Sequence, residues 1–148
     1  MIHTEVLADI FNAALAAVDP YNAVLNVVRV ESDQLHIVGA KYDLAAFDRI
    51  VVVGAGKATA RMALAIESLL GEKIAAGLIV VKDGHMAPLS IIEQVESSHP
   101  VPGAAGVAGT LRILEVAHAA DEKTLFICLI SGGASALLVA PAPPEPPE

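Results

Sequence analysis

The sequence predicts an α/β fold in which helices flank a parallel sheet. Three observations carry that expectation. Four short apolar runs, Ile50–Val53, Ala76–Lys82, Ile91–Glu96 and Leu125–Ile130, have the length of strands, and three of them are dense in Val, Ile and Leu. Helix-length segments follow the first and third runs, and strands alternating with helices pair in parallel through right-handed crossovers. Each run also ends in a turn marked by glycine or proline. The core palette agrees: the chain is 55% hydrophobic but only 3% aromatic, so Ala, Val, Ile and Leu must fill the interior, which suits α/β layers better than an aromatic-anchored sandwich.

Taken in order, Thr4 is placed to cap a first helix, with Glu5 near its positive end. Leu7, Ile10, Phe11, Ala14, Leu15 and Val18 repeat at three- and four-residue steps along it, and Pro20 marks its end. Residues 21–28 keep helical spacing through Ala23, Val24, Val27 and Val28. Residues 29–41 alternate weakly, with 35–39 a small edge strand, and 43–47 connect onward. Ile50–Val53 is a strand buried on both faces. It breaks into Gly54-Ala55-Gly56, and from Lys57 the pattern is helical, with Ala58, Met62, Ala65, Ile66 and Leu69 on one face and Gly71 as the stop. Residues 76–82 form the second strand, followed by the turn Asp83-Gly84-His85; residues 91–96 form the third, closed by Ser97–Pro102. Residues 103–120 are helical, with Val107, Leu111, Leu114 and either Ala117 or His118 sharing a face. Residues 125–130 are the fourth buried strand, and the loop Ser131-Gly132-Gly133-Ala134-Ser135 follows it. Only residues 136–140 are left for a covering helix. Residues 1–140 are thus expected to form one incomplete domain, and the proline-rich 141–148 an extended tail, because proline removes donors and fixes φ.

Composition excludes several classes of function. A formal net charge of −8 argues against nucleic acid or an anionic membrane as partner, since both call for a basic face. No apolar run approaches the ~20 residues of a spanning helix. No basic segment precedes an apolar leader, so the cytoplasm is the default location. The single cysteine, Cys128, excludes an internal disulfide and reads as a small buried hydrophobe. His3, His36 and His118 read as solvated. His85 and His99 have no third ligand at zinc spacing.

In a parallel sheet ligands bind beyond the carboxyl ends of the strands, and all four marked turns fall there. The turn Gly54–Lys57 places a lysine at a helix start, where unpaired N–H groups and the dipole face outward. A cation is mildly disfavoured at that end, which favours a functional lysine over a merely solvated one. The turn is neither a dinucleotide fingerprint, since Thr59 stands in the third glycine position, nor a P-loop. Ser131–Ser135 satisfies equally well the pattern of a phosphate-holding nest and that of a plain strand-to-helix loop. It lacks the spacing of a nucleophilic serine elbow. His99, between two serines and a proline, is by itself more often a turn residue hydrogen-bonded to backbone than a catalyst.

Four linked motifs then carry a resemblance: V-V-V-G-A-G-K-A at 51–58, V-V-K-D-G-H at 80–85, E-S-S-H-P-V-P at 96–102 and L-I-S-G-G-A-S-A-L-L at 129–138. In order and spacing the chain resembles, from about Leu7 to Leu138, the N-terminal domain of the type 2 glycerate kinases. That is the glycerate 2-kinase family, whose members have often carried a hydroxypyruvate reductase label. The resemblance implies a Rossmann-like N-terminal domain and a second, C-terminal domain, with the active site in the cleft between them. It implies transfer of the ATP γ-phosphoryl group to D-glycerate, with Mg²⁺, to give 2-phosphoglycerate. Lys57 matches the family's turn lysine and takes the catalytic role. Gly54, Gly56, His99, Ser131, Gly132, Gly133 and Ser135 match substrate- or phosphate-binding positions, and no metal ligand is carried over. Ala134, Gly103, Asp83 and Met86 depart from the family pattern. Without the opposite domain the chain is expected to be inactive alone. The alternatives are a nicotinamide-dependent hydroxypyruvate reductase and a non-catalytic anion-binding module.

Overall fold

The computed structural model of the protein describes the backbone of residues 2–142 and the side chains of residues 4–142. The reading of His3 and most of the predicted tail, from Pro143 onward, therefore lie outside the described residues. Pro141 and Ala142 are exposed and belong to no element.

The chain runs through α1 (Ile2–Ala17), α2 (Pro20–Leu25), β1 (Val28–Glu31), β2 (Gln34–Ile37) and β3 (Ala40–Asp43). It continues through β4 (Arg49–Ala55), α3 (Thr59–Leu70), β5 (Ile74–Lys82), β6 (Glu93–Ser97), α4 (Ala104–His118), β7 (Thr124–Ile130) and α5 (Ala134–Leu137). Two sheets result. β1, β2 and β3 form an antiparallel meander, and β4 to β7 form a parallel sheet in the order β6-β5-β4-β7. The expected α/β class and parallel sheet are borne out.

β4 is the centre of the parallel sheet because it can be buried on both faces. Side chains alternate across a strand, so Ile50 and Val52 point to one layer and Val51 and Val53 to the other. Ile50 and Val52 join Ala60, Ala63, Ile66 and Leu70 of α3, together with Val24, Val28 and Leu35. Val51 and Val53 join Leu78, Val80, Ile113 of α4 and Leu137 of α5. Gly71 ends α3 at a positive φ of 51°.

Several expectations are corrected. Thr4 lies inside α1 rather than capping it. Pro20 does not merely end the first helix; it opens α2, whose cap is Asp19, accepting the Asn22 N–H at 3.0 Å. Val28 leaves the second helix for β1. Leu35 is fully buried in β2, the middle strand of the meander, and not on an edge strand. His36 is buried rather than solvated, with Glu31 at 3.6 Å and Arg29 at 3.4 Å. On α4 the buried positions are Gly106, Gly109, Thr110 and Ile113, whereas Leu111 and Leu114 are exposed. The two glycines let α4 approach the sheet along a stripe that hydrophobicity alone does not mark. β7 is an edge strand, not a fully buried one, so Ile130 is half exposed. Cys128 on the same strand is exposed, against the expectation of a buried residue. Partial desolvation still raises its thiol pKa, which disfavours the reactive thiolate.

One carboxylate ties the long β5–β6 connection to the core. The Glu67 oxygens accept backbone N–H groups from Ser90 at 2.6 Å and from Ile91 and Ile92 at 3.1 Å. This clamp places Ile92 in the core and so sets where β6 begins. Glu67→Ala leaves three donors without their acceptor, and a loss of about 1–2 kcal/mol is expected in urea unfolding. Glu67→Gln, which retains one acceptor oxygen, should lose less.

Candidate functional site

Because β4, β5, β6 and β7 are parallel, their carboxyl ends share one edge of the sheet. The four turns that follow are tied to one another there. Between β4 and β7 the lacing is dense: Ser131 N–H donates to the Ala55 carbonyl at 3.1 Å, and Lys57 N–H to the Gly132 carbonyl at 3.0 Å. The Ser131 hydroxyl accepts the Ala58 N–H at 3.0 Å and meets the Thr59 hydroxyl at 3.0 Å. Farther along the rim, Asp83 N–H donates to the Ser97 carbonyl at 3.1 Å, and Gly84 N–H to Glu96 at 2.6 Å. His85 joins the second turn to the first, its Nδ1 lying 3.2 Å from the Lys57 carbonyl. A carbonyl only accepts, so Nδ1 is the donor in this contact.

The predicted site residues separate into two groups. Gly54 and Gly56 are buried and build the turn rather than line a surface. A Cβ on Gly56, whose φ is 137°, would fall 2.1 Å from the Ser131 Oγ. The Ser131 hydroxyl is likewise turned inward, onto the start of α3. Lys57, Gly132 and Ser135 are exposed, and His99 and Gly133 are half-buried beside them. His99 sits over Gly133: a Cβ there would lie 2.9 Å from the imidazole Nε2 and 3.3 Å from the Lys57 Cγ. Lysine, imidazole and glycine loop therefore meet at one point, as the motifs anticipated.

The source of the anion-binding donors differs from expectation. The reading that the turn presents unpaired N–H groups outward is corrected at Lys57 and Ala58, because Gly132 takes the Lys57 N–H and Ser131 takes the Ala58 N–H. Among the described residues, the backbone N–H groups of Gly132 and Gly133 have no protein partner. Successive free N–H groups form a nest for an anion, here beside the Lys57 side chain. Sequence reasoning also missed Thr59 and left His85 aside. The absent third glycine pointed to Thr59. A histidine placed directly after a strand-ending Asp-Gly turn pointed to His85.

Residues 6–145 match a family model described as a domain of unknown function, DUF4147. The chain belongs to the DUF4147 family. Among its relatives, the glycerate 2-kinase of Pyrococcus horikoshii is 36% identical over 128 residues, covering 86% of this chain and 28% of that protein. A protein of Agrobacterium vitis that carries a provisional hydroxypyruvate reductase name is 36% identical over 137 residues, covering 93% of this chain and 28% of that one. The crystal structure of Thermotoga maritima glycerate kinase superposes with a TM-score of 0.69 at 31% identity, covering 90% of this chain and 30% of that one. The resemblance drawn from the four motifs is borne out. The DUF4147 chain spans less than a third of the length of these relatives.

The Ser131 hydroxyl accepts the N–H of Ala58, the residue just before α3, which has no side-chain cap of its own. Ser131→Ala should therefore lower stability by about 1–2 kcal/mol, the cost of leaving the Ala58 N–H without its acceptor, as read from urea unfolding. Thr59→Ala should cost less, since no backbone donor loses its acceptor.

Proposed function

We propose that this chain supplies one wall of a glycerate 2-kinase site, which phosphorylates D-glycerate with ATP to give 2-phosphoglycerate. The observation that carries the reading is the meeting of the Lys57 side chain, the free N–H groups of Gly132 and Gly133, and His99 on one rim. In the transfer, an oxygen–phosphorus bond forms to the 2-hydroxyl oxygen, the bond from the γ-phosphorus to its bridging oxygen breaks, and the hydroxyl proton is released. Little of this needs covalent help from protein. Positioning and positive charge at the phosphoryl oxygens carry it. Lys57 is the cation for those oxygens, the 132–133 nest holds an anionic group of substrate or nucleotide, and His99 is within reach of the same point. Ser135, exposed in the first turn of α5, adds a hydroxyl to the rim.

The residues fit phosphate better than they fit a metal. Among the described residues no three His, Cys, Asp or Glu side chains stand together. Mg²⁺ in this reading arrives on the nucleotide phosphates with its water, as is usual for that ion. Since the P. horikoshii relative is more than three times as long, a second domain is proposed as the opposite wall, excluding water from the transfer. The cytoplasm, where ATP is available, is the proposed location; no described helix is long and apolar enough to cross a membrane.

The reductase reading is disfavoured by the start of α3. A dinucleotide pyrophosphate rests on free N–H groups where strand turns into helix, and here those of Lys57 and Ala58, leading into α3, are taken by Gly132 and Ser131. Isothermal titration of this chain separates the readings. D-glycerate or ATP–Mg²⁺ is expected to bind weakly, and Lys57→Met to weaken that binding at least tenfold, while NADH gives no heat. A coupled assay on the 148 residues alone is expected to show no turnover. Binding of NADH in place of ATP and glycerate would overturn the kinase in favour of the reductase. Binding of simple anions alone, unaffected by Lys57→Met, would favour a non-catalytic module.

A further inference from the structure

The first turn of α4 opens with backbone donors left unmet. Gly103, at its cap position, has no side chain to give, and the turn holds no acid. Among the described residues, no acceptor meets the N–H groups of Ala104, Ala105 or Gly106; the first bond of the helix runs from the Val107 N–H to the Gly103 carbonyl at 3.2 Å. Orphan donors are common to helix starts. What sets this one apart is Ser97, the last residue of β6. Its hydroxyl is buried and, among the described residues, is the one buried side-chain group without a hydrogen-bond partner. Buried polar groups are ordinarily paired, so this hydroxyl calls for a partner that the protein does not supply.

The hydroxyl is aimed at that turn. Its Oγ lies 3.3 Å from where a Cβ on Gly103 would stand and 2.8 Å from where one on Gly106 would. Glycine at both positions lets it rest against the backbone of the turn. Ala104 and Ala105 are exposed, so no side chain of the turn larger than a methyl group obstructs its mouth. We infer that the start of α4 is an oxyanion site. It takes a carboxylate or phosphate group on the N–H groups of Ala104, Ala105 and Gly106, with the Ser97 hydroxyl as a further donor. α4 is fifteen residues long, so aligned peptide dipoles favour negative charge at its start. All the groups gathered there can donate, and an oxyanion has lone pairs enough to meet the hydroxyl and the N–H groups together. The donors belong to α4 and β6, not to the loop that carries the 132–133 nest. This inference stands independently of the kinase reading.

Amide NMR of the isotope-labelled whole chain, titrated with inorganic phosphate and separately with acetate at constant ionic strength, reads the site residue by residue. The resonances of Ala104, Ala105 and Gly106 should shift saturably, with a dissociation constant of about 10 mM or tighter for the better anion. Which anion binds more tightly tells a phosphate group from a carboxylate, while the Gly132 and Gly133 resonances report the nest separately. Ser97→Ala should weaken binding at 104–106 by at least about threefold. It should not lower the urea midpoint, because the hydroxyl has no partner to lose, so the variant keeps its fold. Gly103, at φ −118° and ψ 161°, already has the extended backbone of a cap residue. A Cβ there would meet only the Ser98 Oγ within 3 Å, at 2.6 Å. In a Ser98→Ala background, Gly103→Asp should therefore cap the turn with its own carboxylate, raise the urea midpoint and abolish the response at 104–106. The absence of saturable shifts at 104–106 with both anions would overturn the proposal, as would binding there that either Ser97→Ala or Gly103→Asp leaves unchanged.

Discussion

The Ser131 hydroxyl occupies the space that a side chain on Gly56 would need, and much of the site follows from that exchange. Ala58, at the cap position of α3, has no oxygen to offer the helix's first donors. The N–H of Ala58 itself is held by the Ser131 hydroxyl of β7's loop, seventy-three residues away in the chain. Such a bond exists only when β4 and β7 lie side by side and end level with each other, so pairing the strands and building the site are one event. The bond also fixes the height of the 131–135 loop relative to Lys57. It thereby brings the Gly133 backbone under His99.

The same economy explains why β4, and not β7, is the centre of the sheet. β4 is apolar on both faces and is paired on both edges, so all its backbone groups between Ile50 and Ala55 are covered. Among the described residues β7 is paired only with β4, and its positions Cys128 and Ile130 meet solvent. Apolar surface is also uncovered at Leu111 and Leu114 on α4 and along α1. A chain that is 55% hydrophobic has more apolar surface than a single sheet with one well-covered strand can bury. Strand pairing was satisfied first, because an unpaired buried peptide group costs more than an exposed leucine.

What could be read beforehand was whatever depended on local period and on strand direction. Ile50–Val53 and Ala76–Lys82 are runs with one structural solution, and parallel direction followed from the helices between them. The convergence of Lys57, His99 and Ser131–Ser135 needed only that direction. What could not be read depended on contacts distant in sequence. The inward turn of the Ser131 hydroxyl required knowing that Gly56 lies opposite it. The burial of Leu35 and His36 required a meander whose strands are only four residues long, too short for a clear two-residue period. On α4, Gly106 and Gly109 face the sheet because they lack side chains, a criterion opposite to the one that picked out Leu111 and Leu114.

The occupied start of α3 bears on which phosphate chemistry this edge can support. A pyrophosphate held statically across a helix start needs several rigid donors that point at it together, and the two N–H groups leading into α3, those of Lys57 and Ala58, are given to Gly132 and Ser131. The remaining group is a lysine ammonium on a four-carbon stem beside a two-residue nest. That is a compact charge able to follow its ligand over several ångströms, not a fixed cradle. A phosphoryl group in transfer changes position and spreads charge over its oxygens as it moves. A mobile cation anchored at its backbone by Gly132, next to fixed donors from the same loop, suits that task better than it suits a resting cofactor. The net charge of −8 sharpens this. An acidic protein repels a polyanion over most of its surface, so the proposed site depends on the local positive charge of Lys57.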